Sequence, residues 1–104
     1  DLITSLEIRS SEEISNYFDS NSEIIINEKV SKGNKFQLTK TLDNFFTENN
    51  LREFKIIHKG DSQNNIIYML AEYSSNDDIY KVFLTLLKAE RKYIIQKFKI
   101  DIRE

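Results

Sequence analysis

The chain of 104 residues contains no cysteine, no proline and no tryptophan, and only one methionine, one histidine and two glycines. Zero cysteine excludes a disulfide framework, a thiol nucleophile and any cysteine-held zinc or iron–sulfur site. A lone imidazole, His58, excludes paired-histidine metal centres, so neither a metal nor a cofactor is expected. Long hydrophobic runs are missing too: Ile24-Ile25-Ile26 is a strand's worth, against the roughly 20 residues that span a bilayer. No membrane span is expected. Charge of neither sign dominates, with 15 basic and 17 acidic side chains and a net charge of -2. Such a surface offers no broad field to a polyanion, so no nucleic-acid partner is expected.

What is present suffices for a core: hydrophobic residues make up 39% of the chain and aromatics 12%. No Pro/Gly-rich linker and no solenoid-length repeat divides it, which predicts one domain over residues 1–104. The first half (1–50) carries 5 basic and 9 acidic residues and the second (51–104) carries 10 and 8, an asymmetry that follows a change from helix to strand.

Leu2, Ile3 and Leu6 form a short helical stripe. Ser10 with Glu13 fits a capping box opening a second helix that presents Ile14, Tyr17 and Phe18, and Asp19-Ser20-Asn21-Ser22 reads as its breaker. Residues 23–30, rich in Ile and Val, predict a strand. After the turn Ser31 to Asn34, Asn34 and Gln37 make another cap for a helix whose Leu38, Leu42, Phe45 and Phe46 share one wide stripe and which ends at Asn49-Asn50. Beyond Leu51 the period falls to two, predicting strands near 52–59, 65–73, 78–88 and 92–102 joined by short polar turns, hence an antiparallel meander. Helices followed by a curved antiparallel sheet define an α+β domain with the helices on one sheet face.

The other sheet face is too apolar to be simply solvated. Ile66, Tyr68 and Leu70 alternate with Ile67, Met69 and Ala71, and the next strand sets Tyr80, Val82, Leu84 and Leu86 against Ile79, Phe83 and Leu87. A homodimer through the sheet covers such a patch by making it self-complementary; strong sheet curvature in a monomer is the alternative.

The pair Phe45-Phe46, the segment Phe54-Lys55-Ile56-Ile57-His58-Lys59-Gly60, the strands bearing Tyr68 and Tyr80-Lys81-Val82, Leu86-Leu87-Lys88, and the closing Tyr93-Ile94-Ile95-Gln96 resemble a Bacteroidetes family. That family is known only as a domain of unknown function, number 4783, within the nuclear transport factor 2-like superfamily. His58-Lys59-Gly60 is the most specific of these signatures, and Phe36 to Ile102 carries the resemblance best. The connection Ser74 to Asp78 departs from the pattern by lacking a glycine, and Ser31 to Asn34 is very polar. The resemblance implies a cystatin-like/nuclear transport factor 2-like cone, a curved sheet wrapping helices around a pocket. It further implies a periplasmic, cell-envelope or secreted protein made with a leader peptide, for which Asp1 would be the edge of a mature or trimmed chain. Superfamily members range from ketosteroid-isomerase-like enzymes to non-catalytic binding and dimerisation modules, so fold does not fix activity.

Strict alternation puts Phe54, Ile56 and His58 of one strand, and Ile94, Gln96, Phe98 and Ile100 of another, on the helix-facing side. An isomerase or dehydratase needs a base and a donor converging on one apolar cavity. His58 would be that base with Tyr17 or Tyr68 as donor, and Glu72 is the acidic runner-up. Weighed against this, a histidine beside a glycine turn more often serves structure. Asp77-Asp78 with Asn76 reads as turn chemistry, and Asp61, Asn64 and Asn65 supply too few oxygens for calcium. Lys55, Lys59, Lys81, Lys97 and Lys99, with Tyr93 and Phe83, are expected on a solvated outer face. The expected function is a non-enzymatic, exported, self-associating domain holding a small apolar ligand at His58, Tyr17, Tyr68, Phe46 and Gln96; the alternative is an isomerase-like enzyme using His58.

Overall fold

The Asn34/Gln37 pair closes as a reciprocal cap in the computed structural model, which describes residues 1–103. The Asn34 side chain accepts from the Gln37 amide at 2.9 Å while the Gln37 side chain accepts from the Asn34 amide at 3.0 Å. Gly33 enters at φ 151°, and a Cβ there would collide with the Gln37 side chain that completes the cap. Only Ser10 of the first expected box caps: its hydroxyl accepts from the Glu13 amide at 3.2 Å, while its own amide is taken by the Ser5 carbonyl.

Three helices, α1 (Leu2–Glu7), α2 (Ser11–Ile14) and α3 (Lys35–Asn49), combine with six strands. The strands are β1 (Phe18–Ile26), β2 (Lys29–Ser31), β3 (Glu53–Asp61), β4 (Ile66–Ser74), β5 (Ile79–Ala89) and β6 (Lys92–Ile102). They form one sheet in the order β2-β1-β6-β5-β4-β3. The meander β3 to β6 is antiparallel as expected, but β1 pairs β6 in parallel, which corrects the expectation of a wholly antiparallel sheet. The long connection between β1 and β6, which includes α3 and the meander, gives the chain room to return in the same direction.

Two boundaries near the N-terminus also differ. Phe18 opens β1 instead of closing a helix, because the helical path ends in a 3-10 turn at Ser15–Tyr17. Asp19 to Ser22 do bond their own backbone, with the Asn21 amide on Asp19 Oδ1 at 2.8 Å and the Asp19 amide on Ser22 Oγ at 2.9 Å. They do so inside a strand: β1 advances from Phe18 to Glu23 while β6 advances only from Ile95 to Lys97, so the segment bulges outward. The expected strand over 23–30 is in fact a hairpin, turned by Asn27 (φ 48°) and Glu28 (φ 74°). Asn27 pins that turn to β6, its amide on the Ile100 carbonyl and its side chain on the Ile102 amide, both at 2.8 Å.

The α3 stripe Leu38, Leu42, Phe45 and Phe46 is buried against β1 and the inner faces of β4 to β6, where Met69, Ala71, Tyr73, Val82, Leu84, Phe98 and Ile100 meet it in a single core. Aromatic rings close one end: Phe45 stands edge-on to Tyr80 at 5.3 Å, and Phe46 to Tyr73 at 5.5 Å. The Tyr73 hydroxyl, fully buried, donates to the Leu6 carbonyl at 2.7 Å and so ties α1 to the sheet.

Burial holds the Tyr73 phenol above its ordinary range, with the Arg9 guanidinium pulling the other way. The neutral form is thus favoured in the native state; above pH ~10 an unfolded tyrosine loses its proton while Tyr73 keeps it, so its contribution, present at lower pH, is lost as pH rises. Tyr73→Phe is expected to cost about 1 kcal/mol in urea unfolding near neutrality. It should also flatten the alkaline fall in stability relative to the parent.

Candidate functional site

Along β3, Phe54 faces Tyr73 and Ile56 faces Ala71, all on the helix-covered side of the sheet. The register with β4 then slips: the next paired residue is His58, opposite Leu70, leaving Ile57 as the extra residue of a β-bulge. One inserted residue reverses every later side chain. His58 and Gly60 therefore face outward, while Lys59, opposite Met69, and Asp61, opposite Ile67, turn inward. A second slip, between Thr85↔Lys97 and Leu86↔Ile95, makes Gln96 the extra residue of β6. Ile95 is buried in the inward position that alternation had reserved for Ile94 and Gln96.

The slip in β3 turns Lys59 into a cleft of about 700 Å³ at the end of the cone away from the Phe45–Tyr80 and Phe46–Tyr73 contacts. Phe18, Ile67, Met69 and Leu86 give it an apolar floor, and α1 with the 3-10 turn brings Leu2, Ile3 and Tyr17 to one wall. The hairpin between β5 and β6 contributes Arg91, Lys92 and Tyr93. Three cations, Lys59, Arg91 and Lys92, and three carboxylates, Asp1, Asp19 and Asp61, line it. Two of those carboxylates are engaged locally: Asp1 caps α1 by accepting from the Thr4 amide at 2.9 Å, and Asp19 accepts from the Asn21 amide. The ion pairs among the described residues, Lys32–Glu23, Lys99–Asp101 and Arg103–Glu72, all lie outside the cleft.

Of the five residues expected in the pocket, the cleft contains Tyr17 alone. His58 and Tyr68 do meet, Nε2 to hydroxyl at 3.3 Å, but on the outer sheet face, where the Tyr68 ring lies over Gly60. Phe46 belongs to the closed aromatic end, and Gln96 projects from its bulge into solvent. Lys59 and Tyr93, expected on the outer face, are in the cleft instead. Asp19, Asp61, Arg91 and Lys92 were not anticipated there. A polar crevice beside the β4–β5 turn, lined by Asn49, Asp77, Asp78 and Tyr80, adds a second concavity of about 240 Å³. The Tyr80 ring is buried while its hydroxyl reaches this crevice and donates to Asn49 Oδ1 at 2.9 Å. Desolvation and then the Asp78 carboxylate push its phenol upward.

The outer face is organised in rows by the strand registers. Lys55, Glu72, Lys81 and Asp101 form one of alternating charge, and Arg103 joins Glu72 at 3.0 Å. Next to it run His58, Leu70, Phe83, Lys99, Ile25 and Val30. Leu70 is 40% exposed and the bulged Ile57 52%.

A bent six-stranded sheet wrapped around helices with a cleft at its open end is the cystatin-like, nuclear transport factor 2-like cone. An NTF-2-like protein of unknown function from Silicibacter pomeroyi superposes with a TM-score of 0.71 at 13% identity, covering 98% of this chain and 90% of that one. A ketosteroid isomerase-like protein from Erwinia carotovora atroseptica gives 0.72 at 8%, covering 98% and 88%. Within this class, the model of the domain of unknown function DUF4783 matches residues 1–101, and the chain belongs to that family. A DUF4783 protein from Bacteroides ovatus is 22% identical, with a TM-score of 0.89 over 99% of this chain and 93% of its own. No curated protein matches the chain. No helix among the described residues is long and apolar enough to cross a membrane.

A methyl group at Gly60 would stand 2.7 Å from the Tyr68 hydroxyl. Gly60→Ala is therefore expected to lift that ring, cost about 1–3 kcal/mol in denaturant unfolding and erase the nuclear Overhauser contacts between the His58 and Tyr68 rings. The Met69 and Leu86 resonances in the cleft should move little; unchanged His58–Tyr68 contacts would contradict the outer-face arrangement.

Proposed function

We propose that residues 1–104 form a single non-enzymatic binding domain that takes a small, largely apolar molecule into the cone and self-associates through the outer face of its sheet. One observation carries the binding role: a cleft of about 700 Å³, within the size range of small-molecule sites, ends on the apolar floor Phe18, Ile67, Met69 and Leu86. An enzymatic reading built on His58 loses its base, because that imidazole stands on the opposite face of β3 from the cleft. Proton transfer demands hydrogen-bond reach before acidity matters.

Self-association is supported by the apolar strip Ile57, Leu70 and Phe83 beside the row Lys55, Glu72, Lys81 and Asp101. A twofold that reverses this row on itself sets each lysine against a carboxylate while covering the strip. Export to the envelope is part of the same proposal and is supported only by the family resemblance of the sequence.

For binding, the chain is expected to take up 1-octanol with amide shifts at Ile67, Met69 and Leu86, and Ile67→Trp, which fills the floor, should abolish them with the fold retained by circular dichroism. Shifts spread evenly over the surface would defeat the assignment. For self-association, light scattering across a concentration series should give a dimer that Leu70→Lys with Phe83→Lys converts to a monomer. A parent chain monomeric throughout would retire the interface.

A further inference from the structure

We infer that the cleft selects an amphipathic anion: an apolar body with a single carboxylate-like head, held by Lys59 with Arg91 and Lys92. This rests on the binding role proposed above and adds the chemistry of the ligand.

The floor supplies the first half of the inference, since Phe18, Ile67, Met69 and Leu86 have nothing polar to offer a head group. The rim supplies the second. Its formal charges balance, three against three, but their commitments do not. The Asp1 carboxylate holds the Thr4 amide and that of Asp19 the Asn21 amide, which fixes both on their own segments of chain. Among the described residues, the ion pairs involve none of Lys59, Arg91 and Lys92. Asp61 is the rim carboxylate not tied to a backbone amide, and an anion entering the cleft finds the donors of three cations that stand outside these ion pairs.

Lys59 has the strongest claim to the head group because its position is costly to arrange. Without the Ile57 bulge, alternation would send His58 into the cleft and Lys59 to the solvent. With it, Lys59 rises opposite Met69, at the border between floor and rim, where its methylene stem can lie along apolar surface and its ammonium can reach the opening. Arg91 and Lys92 approach from the β5–β6 hairpin, on a different segment of chain. Cations from two separate elements, one turned inward by a local irregularity, converge on the mouth of a single greasy cleft.

The test uses three probes that share one tail and differ in the head: octanoate, 1-octanol and octylammonium, titrated into the isotopically labelled chain and followed at the Ile67 and Met69 amides. Octanoate is expected to bind about tenfold more tightly than 1-octanol, with octylammonium weakest and the octanoate advantage shrinking as salt rises. Lys59→Met should bring octanoate and 1-octanol close to parity. If that variant fails to fold, Arg91→Gln with Lys92→Gln reads the same loss from the hairpin side. Equal affinity of octanoate and 1-octanol for the parent chain, or tighter octylammonium, overturns the anion preference and leaves the binding role standing. Absence of cleft shifts with all three probes overturns both.

Discussion

Everything in this molecule follows from the need to bury the α3 stripe Leu38, Leu42, Phe45 and Phe46. A straight sheet touches a helix along a line, whereas α3 meets β1 at one side and Tyr73 of β4 and Tyr80 of β5 at the other, so the sheet has to bend around it. Bending an antiparallel ladder is done locally, by inserting residues that break the register and increase the twist. The irregularities at Ile57, at Gln96 and across Asp19 to Ser22 are where this sheet does it. Stability and site are therefore coupled: the residues that let the sheet close on α3 also decide which side chains reach the open end of the cone.

Those same insertions explain what could and could not be read from the sequence. Helix α3 was legible because a cap, a wide stripe and a polar stop agree, and the four-strand meander because polar turns separate runs of period two. Expected helix-facing positions away from a bulge, such as Leu42, Phe54 and Ile100, came out on that side. Beyond Ile57 and around Gln96 the phase was lost, since counting alternate residues has no means of registering one extra residue. The hairpin at Asn27-Glu28 went unseen for a related reason: both residues adopt positive φ without the glycine that normally advertises such a turn. The parallel β1–β6 pair is a long-range choice that local pattern does not encode.

The triplet His58-Lys59-Gly60, the most distinctive feature of the sequence, takes on three separate jobs in the structure. His58 turns out toward the Tyr68 hydroxyl, Lys59 turns in toward the cleft, and Gly60 leaves the space that the Tyr68 ring occupies. A side chain at Gly60 would displace that ring, and the displaced ring would surrender its contact with His58. The motif thus marks a bulged strand passing a tyrosine, with its imidazole on the face of β3 opposite the cleft.

One consequence concerns how the two faces of the sheet depend on each other. The Ile57 insertion exposes an isoleucine beside Leu70 on the outside and sets Lys59 opposite Met69 on the inside, so a single register slip enriches the outer strip in apolar surface and gives the inner cleft one of its three cations. Restoring regular alternation would reverse both at once: His58 would enter the cone and Lys59 would join Lys55 on the outer face. Charge in the cleft and grease on the back of the sheet are thus two outcomes of the same backbone irregularity. A change that alters one by shifting the strand must alter the other, whereas a side-chain substitution at Lys59 or Leu70 separates them.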